Sequence, residues 1–430
     1  MSYVADVSKL TKEQIEYIKK FLVFQPVSLN KKFANNAPPV TFYSVKDGKI
    51  RLPYIFASSL LKIIPNTDHE FTKTKITFKG QLRPNQEIVE KEAYFQLMKF
   101  GTVTLGLHPG FGKTILSTHL TSKLNLLTVV LTHREILNTQ WKTSFSSFTD
   151  AKTWIVGEEP EPEDYQIIIC MDKRFNLIKN KNKIGLLIID EAHAFCTSGH
   201  VECLLSWEPK FIILLSGTLE RDDELHKMAH VIASERQITR ESNIPFKVIK
   251  TLTLTKPERI KVKGTLNYSH LVETTLIDDR RNQIILKLVN ENLNHKILIL
   301  TCLKLHAENL RELLDSQNLK CDTLYGKKKE YIDCNILIGT TSKIGTGFDP
   351  ATSCSTYDGN PFDLLILVCS IKKYSALVQN VGRVFRAQNP VIYHFVDDDN
   401  IYETHWKKAA KWYKSRGGEV SVRKFEEKIF

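Results

Sequence analysis

The sequence predicts two tandem α/β domains, each a doubly wound parallel sheet, preceded by a small α+β domain. Short, continuously apolar runs alternate with helix-like stretches, and this rhythm is typical of parallel strands that are buried on both faces. A polar stretch around residues 219–260 interrupts the rhythm, so we expect two sheets rather than one. The strand-like runs are TVTLGL, LLTVVLT, YQIIIC, IGLLIID and KFIILLS in the first half, and KILILT, DTLYG, CNILIG, FDLLILV and PVIYHFV in the second.

The opening segment shows a different pattern, with one helix and one hairpin. Residues 11–22 predict a helix, because Thr11 and Gln14 have capping-box spacing. Asp47-Gly48 lies between two β-rich runs and predicts a hairpin turn. The predicted domains are an accessory domain over 1–78 with a role in nucleic-acid recognition, a first α/β domain over 79–240, a second over 260–415, and a tail over 416–430.

Charge and composition indicate the class of partner. The chain has 430 residues, 42% of them hydrophobic and 25% charged, which is ordinary for a globular protein. Its net charge is +12 and its pI is about 9.1. A basic excess of this size favours a polyanion, nucleic acid before a membrane surface. A lysine-rich enzyme with no polyanion partner is the alternative.

The eight cysteines contain no C-x-x-C pair, and several lie in apolar runs such as YQIIIC. This pattern is typical of reduced, buried thiols and indicates a reducing compartment. The sequence has no apolar run long enough for a membrane span and no secretory signal at its start. We therefore expect a monomeric intracellular protein without membrane contact, in the cytoplasm or, if the source is viral, in a virion.

The segment Leu107–Thr114, LHPGFGKT, lies between the strand-like run TVTLGL and a helix-like run. It retains Gly-x-Gly-Lys-Thr of a phosphate loop but has Leu107 at the position of the first glycine. Backbone N–H groups at such a helix N-terminus bind phosphate. The loop that would surround the phosphates consists of His108, Pro109, Gly110, Phe111 and Gly112, of which all but the proline have an N–H to donate. Lys113 would reach the β and γ phosphates and Thr114 would bind Mg²⁺. A tight turn with an exposed lysine is the alternative.

A second signal is LLIIDEAH, Leu186–His193, in which two acids end a buried apolar run. Placed at the carboxyl edge of the sheet, they would share a crevice with the loop. Asp190 would hold Mg²⁺, and Glu191 would orient and deprotonate the attacking water. A helix-capping Asp-Glu pair is the alternative.

Together with these two motifs, five others in order along the chain make it similar to superfamily-2 helicases and translocases of the DEAH type. The resemblance covers about residues 80–400. Within the superfamily, the chain resembles the branch of phage recombination helicases and poxviral transcript-release helicases. The additional motifs are LRPNQ (Leu82–Gln86), LTHREILNTQW (Leu131–Trp141), SGT (Ser216–Thr218), TTSKIGTGFDP (Thr340–Pro350) and QNVGRVFR (Gln379–Arg386).

The resemblance implies tandem RecA-like domains, ATP and Mg²⁺ as cofactors, and movement along DNA as a cleft between the domains opens and closes. It implies that Gln86 reads adenine and that Gly347 and Asp349 also contribute to the nucleotide site. It further implies that Arg383 and Arg386, chiefly Arg386, stabilise the charge on the γ phosphate. The residues implied for nucleic-acid contact and coupling are Arg134, His193, Ser216, Thr218, Thr301, Lys343, Thr346 and Gln379.

Three departures from the family pattern are visible: Leu107 where relatives often have alanine, SGT instead of Ser-Ala-Thr, and Gln379-Asn380 where many relatives have a basic second residue. Two further segments are candidate contacts. The basic-aromatic run HWKKAAKWYKSRGG (405–418) suits a strand-binding surface, although an amphipathic helix that packs its aromatics inward is favoured. MDKR (171–174) follows an apolar run, and an ordinary loop is the alternative.

The leading interpretation is thus a DNA helicase or translocase that serves viral or phage-like transcription, recombination or repair, and that works with a transcription or replication complex. An RNA helicase, or a duplex translocase without strand separation, is an alternative that the motifs do not exclude. A clamp that binds ATP and nucleic acid without turnover disagrees with the intact set of charged residues. A nuclease subunit would need a partner chain, because the sequence shows no second acidic constellation.

Overall fold

The computed structural model describes residues 1–27, 37–218, 220–242, 244–345 and 348–425. The chain divides into two compact units, Met1–Glu241 and Ser242–Phe430, here called the first and second units. Each contains one seven-stranded sheet whose strand pairs are all parallel. The prediction of two tandem α/β sheets is confirmed. None of the helices in the described ranges is both long and apolar enough to span a bilayer.

The sheet of the first unit begins after residue 100 and alternates with helices. Its strands are β6 (Thr102–Leu107), β7 (Thr128–Thr132), β8 (Thr153–Ile155), β9 (Ile167–Met171), β10 (Leu186–Ile189), β11 (Phe211–Ser216) and β12 (Gln237–Arg240). The accompanying helices are α3 (Pro84–Phe100), α4 (Lys113–Leu124), α5 (Glu135–Phe148), α6 (Ala192–Phe195), α7 (Val201–Leu205) and α8 (Lys227–Ala233), with 3-10 turns at Asp172–Leu177, Lys181–Lys183 and Ser198–His200.

The strand order β12-β6-β11-β10-β7-β9-β8 places β6, β11, β10 and β7 side by side. Strand β10 shows why these runs are continuously apolar. Leu187 and Ile189 pack into the core on one face of the sheet, and Leu186 and Ile188 into the core on the other. A strand buried in this way leaves polar side chains only at its ends, and the carboxyl ends of parallel strands all lie at the same edge.

The first 78 residues pack against this sheet within the same unit. Their elements are β1 (Ser2–Asp6), a 3-10 turn (Val7–Lys9), α1 (Lys12–Phe21), β2 (Val23–Phe24), β3 (Val40–Thr41), β4 (Ser44–Lys46), β5 (Lys49–Pro53) and α2 (Tyr54–Leu61). The predicted capping box at Thr11 and Gln14 is present. The hairpin joins β4 and β5, with φ values of 51° at Asp47 and 70° at Gly48. Both sequence predictions for this segment are confirmed.

The sheet of the second unit has the order β17-β18-β16-β19-β20-β13-β21. Its strands are β13 (Lys247–Leu252), β16 (Ile297–Thr301), β17 (Cys321–Leu324), β18 (Ile336–Thr340), β19 (Leu364–Leu367), β20 (Val391–Val396) and β21 (Glu419–Lys424), and a separate hairpin pairs β14 (Lys261–Val262) with β15 (Thr265–Leu266). The helices are α9 (Tyr268–Leu276), α10 (Asp279–Glu291), α11 (Lys304–Ser316), α12 (Thr341–Ile344), α13 (Pro350–Ser353), α14 (Tyr374–Val381) and α15 (Asn400–Ser415).

The bounds of the second sheet differ from the expected 260–415. Strand β13 lies in the stretch that we expected to separate the domains, and β21 lies in the expected tail over 416–430. The two strands pair with each other, and β13 also pairs with β20. Lys247 and Lys250 interrupt the apolar pattern of β13, and Lys250 is balanced by an ion pair with Glu403 at 2.7 Å. The sequence pattern therefore did not predict β13, which is an internal strand of the sheet.

A buried ion pair joins helix α10 to the end of β20. Arg281 Nε donates to Asp397 Oδ1 at 2.8 Å, and the two side chains are only 1% and 6% exposed. Thr253 Oγ1 also donates to this carboxylate at 2.6 Å, and the guanidinium donates to the carbonyl of Val368. Removing one partner of such a pair leaves an uncompensated buried charge.

We predict that Asp397→Ala lowers the free energy of unfolding of the second unit by about 3–5 kcal/mol, because Arg281 keeps its charge without a counterion. The matched control is Asp398→Ala, whose partner Lys256 is 3.9 Å away and 81% exposed. That change should cost less than about 1 kcal/mol. Urea unfolding of both variants measures the difference. Equal losses in free energy of unfolding would show that the buried ion pair stabilises the protein no more than the exposed one.

Candidate nucleotide and nucleic-acid site

The phosphate-loop candidate lies between β6 and α4 at the carboxyl edge of the first sheet. Gly110 and Gly112 have φ values of 84° and 95°, in the left-handed region that favours glycine. Gly112 is the N-cap residue of α4. A Cβ on Gly112 would lie 2.3 Å from Gln86 Nε2. The loop therefore needs glycine at this position for conformation and for space.

Side chains from the start of α3 hold the loop from behind. Gln86 is 2% exposed, and its Nε2 donates to the carbonyl of Phe111 at 2.8 Å. The Gln86 Oε1 accepts from the backbone N–H of Arg83 at 2.9 Å. Arg83 also donates to the Phe111 carbonyl. Two side-chain donors thus hold the Phe111 carbonyl. The role of Gln86 in reading adenine stays a prediction.

The loop lysine lies close to the next strand. Lys113 Nζ donates to the carbonyl of Leu107 at 2.9 Å. Gly217, directly after β11, faces the same space, because a Cβ built on it would lie 3.7 Å from this Nζ. Thr114 is half-buried in the first turn of α4, one residue after the lysine. The segments that follow β6 and β11 therefore meet at Lys113.

Asp190 directly follows β10, the strand next to β11, and is 8% exposed. Its Oδ2 accepts from Trp141 Nε1 at 2.9 Å, and its Oδ1 from the backbone N–H of Glu191 at 3.0 Å. Burial and then the charge of Glu191 raise the pKa of Asp190 to about 6, against the opposing effects of the Trp141 hydrogen bond and Lys113. The carboxylate is therefore largely ionised at neutral pH, and its orientation is set by the indole.

Glu191 adopts φ 50° and ψ 51°, a left-handed conformation that is uncommon for a residue with a side chain. Strain of this kind is retained when the surrounding structure requires it and is frequent at functional sites. Glu191 Oε2 lies 3.4 Å from His193 Nδ1.

His193 connects the DEAH motif to the SGT motif. Its Nδ1 lies 2.9 Å from Ser216 Oγ, whose hydroxyl donates to the carbonyl of Thr218 at 2.6 Å. Since the serine has only one proton to donate, the imidazole must carry the proton on Nδ1. Burial lowers the pKa of His193, so the ring is neutral at pH 7, although Glu191 acts in the opposite direction. The two motifs are thus in direct hydrogen-bond contact.

Arg221 is a residue of this site that the sequence interpretation missed. It donates to the main-chain carbonyl of His193 at 2.7 Å and pairs with Asp223. Trp141 and Arg83 were also missed, although both lie inside segments singled out as motifs. The contacts of Arg83 with Phe111 and of Arg221 with His193 each join positions 28 residues apart. The contact of Trp141 with Asp190 joins positions 49 residues apart. The one available signal was that the three are charged or aromatic residues within or just after a motif.

Arg134, the predicted phosphate contact of the first unit, is exposed and is the N-cap residue of α5, two residues after the end of β7. It therefore lies at the same sheet edge as the loop. In the MDKR segment, Asp172 contacts His200 Nε2 at 2.8 Å, and Arg174 donates to the carbonyl of Val156 at 3.0 Å. These internal contacts support the interpretation of MDKR as an ordinary loop.

In the second unit, the predicted arginines hold the segment before α13. Arg383 donates to the carbonyls of Phe348 and Gly345 at 2.7 and 2.6 Å. Arg386 forms a two-pronged ion pair with Asp349, with N–O distances of 3.1 and 2.8 Å. Burial acts to raise the pKa of Asp349, but the pairing with Arg386 outweighs it and holds the pKa below its usual value. The structure thus brings Asp349 and both arginines together.

The other predicted contacts of the second unit differ in exposure. Lys343 is half-buried on α12, with Nζ 3.3 Å from the carbonyl of Gly326, and Gln379 is half-buried on α14. Thr301 is fully buried, and its hydroxyl contacts His306 Nδ1 at 2.8 Å. Its side chain therefore cannot contact a strand in this conformation, because the hydroxyl satisfies a buried imidazole. The predicted residues Thr346 and Gly347 lie outside the described residues.

The basic-aromatic run 405–418 forms most of the second half of α15. Trp406, Trp412 and Tyr413 are buried in the core beside the second sheet. Lys407, Lys408, Lys411 and Lys414 are exposed on the opposite side. The amphipathic interpretation is therefore confirmed, and the aromatics of this run are not available for stacking on bases.

We predict opposite outcomes for alanine at two glycines that face the loop. Gly112→Ala should cost at least about 1–2 kcal/mol, because it forces a Cβ into the left-handed region and into Gln86. Gly217→Ala should change the free energy of unfolding by no more than about 0.5 kcal/mol, since its Cβ finds ordinary contact distances of 3.7–3.9 Å. Denaturant unfolding of both variants tests this. A harmless Gly112→Ala would contradict the described loop conformation.

Comparison with known proteins agrees with this geometry. Residues 79–221 match the family model described as "Type III restriction enzyme, res subunit". A protein designated helicase 161L of Invertebrate iridescent virus 6 is 29% identical over 403 residues, which cover 86% of this chain and 88% of the relative. The transcript termination protein A18 of Vaccinia virus (strain Ankara) is 22% identical, with coverage of 86% and 82%.

The architecture also matches solved structures. The structure of Dbp5 from S. cerevisiae, titled as bound to RNA and ADP BeF3, superposes with a TM-score of 0.55 at 15% identity, over 78% of this chain and 89% of that one. At this identity the likeness concerns the fold, and the fold is that of tandem RecA-like domains. The fold, the order of the motifs, the family model and the viral relatives agree. Together they identify the chain as a member of the superfamily-2 helicases, the nucleic-acid-dependent ATPases related to the A18 proteins.

Proposed function

We propose that this helicase hydrolyses ATP at the carboxyl edge of the first sheet and uses the energy to move along or unwind DNA. The observation that carries the proposal is the convergence of Lys113, Asp190 and Glu191 at one sheet edge beside a glycine loop. Two segments far apart in sequence, the start of α4 and the end of β10, supply these groups. A structural ion-pair network would place its charges against each other, whereas here Asp190 is oriented by the neutral indole of Trp141.

The residues present fit ATP and Mg²⁺. The loop offers backbone N–H groups at the N-terminus of α4, which suits phosphate. The carboxylate of Asp190 and the hydroxyl of Thr114 are oxygen ligands of the kind that Mg²⁺ prefers. Bound Mg²⁺ would neutralise charge on the β and γ phosphates. The Trp141 hydrogen bond would keep Asp190 in one orientation, as outer-shell partners do at metal sites.

In this proposal the protein groups have separate tasks. Lys113 leaves the Leu107 carbonyl and binds the β and γ phosphates. Glu191 positions the attacking water and accepts its proton. His193 carries the state of Glu191 to Ser216 through the hydrogen bond at 2.9 Å. Arg383 and Arg386 are proposed to contribute to turnover, for which Arg386 must release Asp349.

DNA is the proposed polymer and viral transcription the proposed setting. The support is the net charge of +12 together with relatives that include a transcript termination protein. Arg134 is the proposed phosphate contact in the first unit. Phosphate contacts position a strand without reading its sequence, so the motif residues leave the choice of polymer to experiment.

We predict that ATP turnover rises several-fold with DNA and that Glu191→Gln abolishes it while retaining ATP binding. The amide keeps the shape of the side chain but cannot accept the proton of water. Steady-state ATP hydrolysis is measured alone and with single-stranded, duplex and forked DNA and single-stranded RNA. Lys113→Ala should also abolish turnover. The matched controls are Glu202→Gln, an exposed carboxylate on α7, and Lys99→Ala, an exposed amine on α3.

The outcomes separate the alternatives. Strong stimulation by RNA alone would replace DNA with RNA as the substrate. ATP binding without turnover under every condition would favour a clamp. Full turnover by Glu191→Gln or Lys113→Ala would contradict the assignment of the site itself.

We also predict that DNA affinity falls steeply as salt rises, because phosphate contacts release counterions. Arg134→Ala should weaken binding to all sequences alike and reduce the slope of log affinity against log salt by about 1. Fluorescence anisotropy at several salt concentrations measures this slope. The control is Lys152→Ala, an exposed lysine of the same unit that pairs with Asp164 at 2.9 Å. An unchanged slope for Arg134→Ala would remove Arg134 from the contact set.

A further inference from the structure

Two cysteines lie side by side at the carboxyl edge of the second sheet. Strand β16 pairs with β19 in a register that aligns Leu300 with Leu367. Cys302 and Cys369 each lie two residues beyond this last aligned pair, in the segments that follow the two strands. The strands remain joined past Leu367, because the backbone N–H of Val368 donates to the carbonyl of Leu300 at 3.0 Å. The Cys369 thiol contacts the same carbonyl, with its Sγ 3.8 Å from the oxygen of Leu300, two residues before Cys302.

The spacing of neighbouring strands suits a disulfide between residues at equivalent positions. Neighbouring strands are about 4.8 Å apart, and side chains at matched positions point to the same face. Disulfides join residues whose Cα atoms are about 4.4–6.8 Å apart. Cys321 and Cys334 offer a contrast in the same unit, because Cys321 is aligned with Ile336 and Cys334 is two residues out of register. The register therefore favours one pair specifically.

The two thiols have different environments. Cys302 is exposed, whereas Cys369 is 3% exposed. The hydrogen bond with Cys369 and the charge of Arg281 lower the pKa of Cys302. The hydrogen bond with Cys302 and burial raise the pKa of Cys369. An exposed thiol that ionises readily, beside a buried thiol that does not, is the arrangement of an attacking and a resolving cysteine.

Arg281 supplies a second, independent observation. The residue is fully buried, and its Nε and Nη2 bind Asp397 and the carbonyl of Val368, the residue before Cys369. Within the described part of the chain its Nη1 has no hydrogen-bond partner. Arg281 is thus a buried cation close to Cys302, with an N–H group that has no acceptor among the described residues. Such a cation stabilises the thiolate that forms on Cys302.

We propose that Cys302 and Cys369 are a thiol–disulfide exchange site that low-molecular-weight disulfides such as glutathione disulfide oxidise. The Cys302 thiolate attacks one sulfur of glutathione disulfide, and one glutathione thiolate leaves. Cys369 then gives its proton to that thiolate and attacks the Cys302 sulfur, and the second glutathione leaves as a thiolate that is protonated by water. In sum, two protein thiols become one disulfide, and one glutathione disulfide becomes two glutathione thiols.

The disulfide would connect two turns of functional interest. Cys302 precedes α11, and Cys369 lies five residues before α14, the helix that carries Gln379. Neither cysteine is among the residues proposed to hold nucleotide, so the site does not depend on the proposed function. All eight cysteines are free thiols in the structure, which is the reduced state of the pair.

The test is incubation of the full chain with glutathione disulfide, followed by intact-mass measurement and peptide mapping. The proposal expects a mass lower by two hydrogens, a single crosslinked peptide pair that contains Cys302 and Cys369, and full reversal by dithiothreitol. Cys369→Ser should stop at glutathione bound to Cys302. Cys302→Ser should lose thiols at least about tenfold more slowly. Cys321→Ser, a half-buried cysteine of the same unit, should behave like the unchanged chain.

Mapping of the unchanged chain decides the matter even if a variant fails to fold. A bond between other cysteines would overturn the proposal. So would glutathione that remains on Cys302 without forming the internal bond, because it would show that Cys369 cannot reach the mixed disulfide.

Discussion

A parallel sheet that is covered on both faces leaves only its edges for polar side chains, and the rest of this molecule depends on that constraint. In the first unit, β6, β7, β10 and β11 are buried along almost their whole length, and the loop, Arg134, Asp190 and Ser216 lie at or just after their carboxyl ends. The order of the strands brings these ends together. Groups that are more than a hundred residues apart in sequence therefore meet at one edge, without any polar residue having to cross the core.

The buried carboxylate of Asp190 shows how such an edge is made suitable for catalysis. Its desolvation would favour the protonated form, and Trp141 and Lys113 favour the ionised form. The balance leaves a carboxylate that is charged at neutral pH and fixed in direction. Glu191 next to it has a left-handed backbone conformation, and we propose that the two adjacent acids serve two different tasks. The hydrogen bond from His193 to Ser216 then connects this pair to the next strand.

The sequence predicted those parts of the fold in which local pattern and environment agree. The ten apolar runs, the capping box at Thr11 and the Asp47-Gly48 turn all follow from short-range chemistry. Strands β8, β12, β13 and β21 were not predicted. Strand β8 has only three residues, and in the other three strands lysines, arginines and other polar residues break the apolar pattern and are balanced by partners elsewhere, such as Glu403 for Lys250. Likewise, the motif residues could be placed from their spacing, whereas Trp141 and Arg221 act through contacts across 49 and 28 residues. Burial of Thr301 by His306 is a tertiary effect that spacing alone does not show.

A crystal structure of the chain with Mg²⁺ and a non-hydrolysable ATP analogue would test most directly whether the carboxyl edge of the first sheet binds the nucleotide. We expect the β and γ phosphates to accept hydrogen bonds from the backbone N–H groups of the Gly110–Thr114 loop. We also expect that Lys113 leaves Leu107 for these phosphates and that Mg²⁺ lies between Thr114 and Asp190. Nucleotide bound elsewhere, or bound here with Asp190 still directed only at Trp141 and no metal beside it, would contradict this expectation.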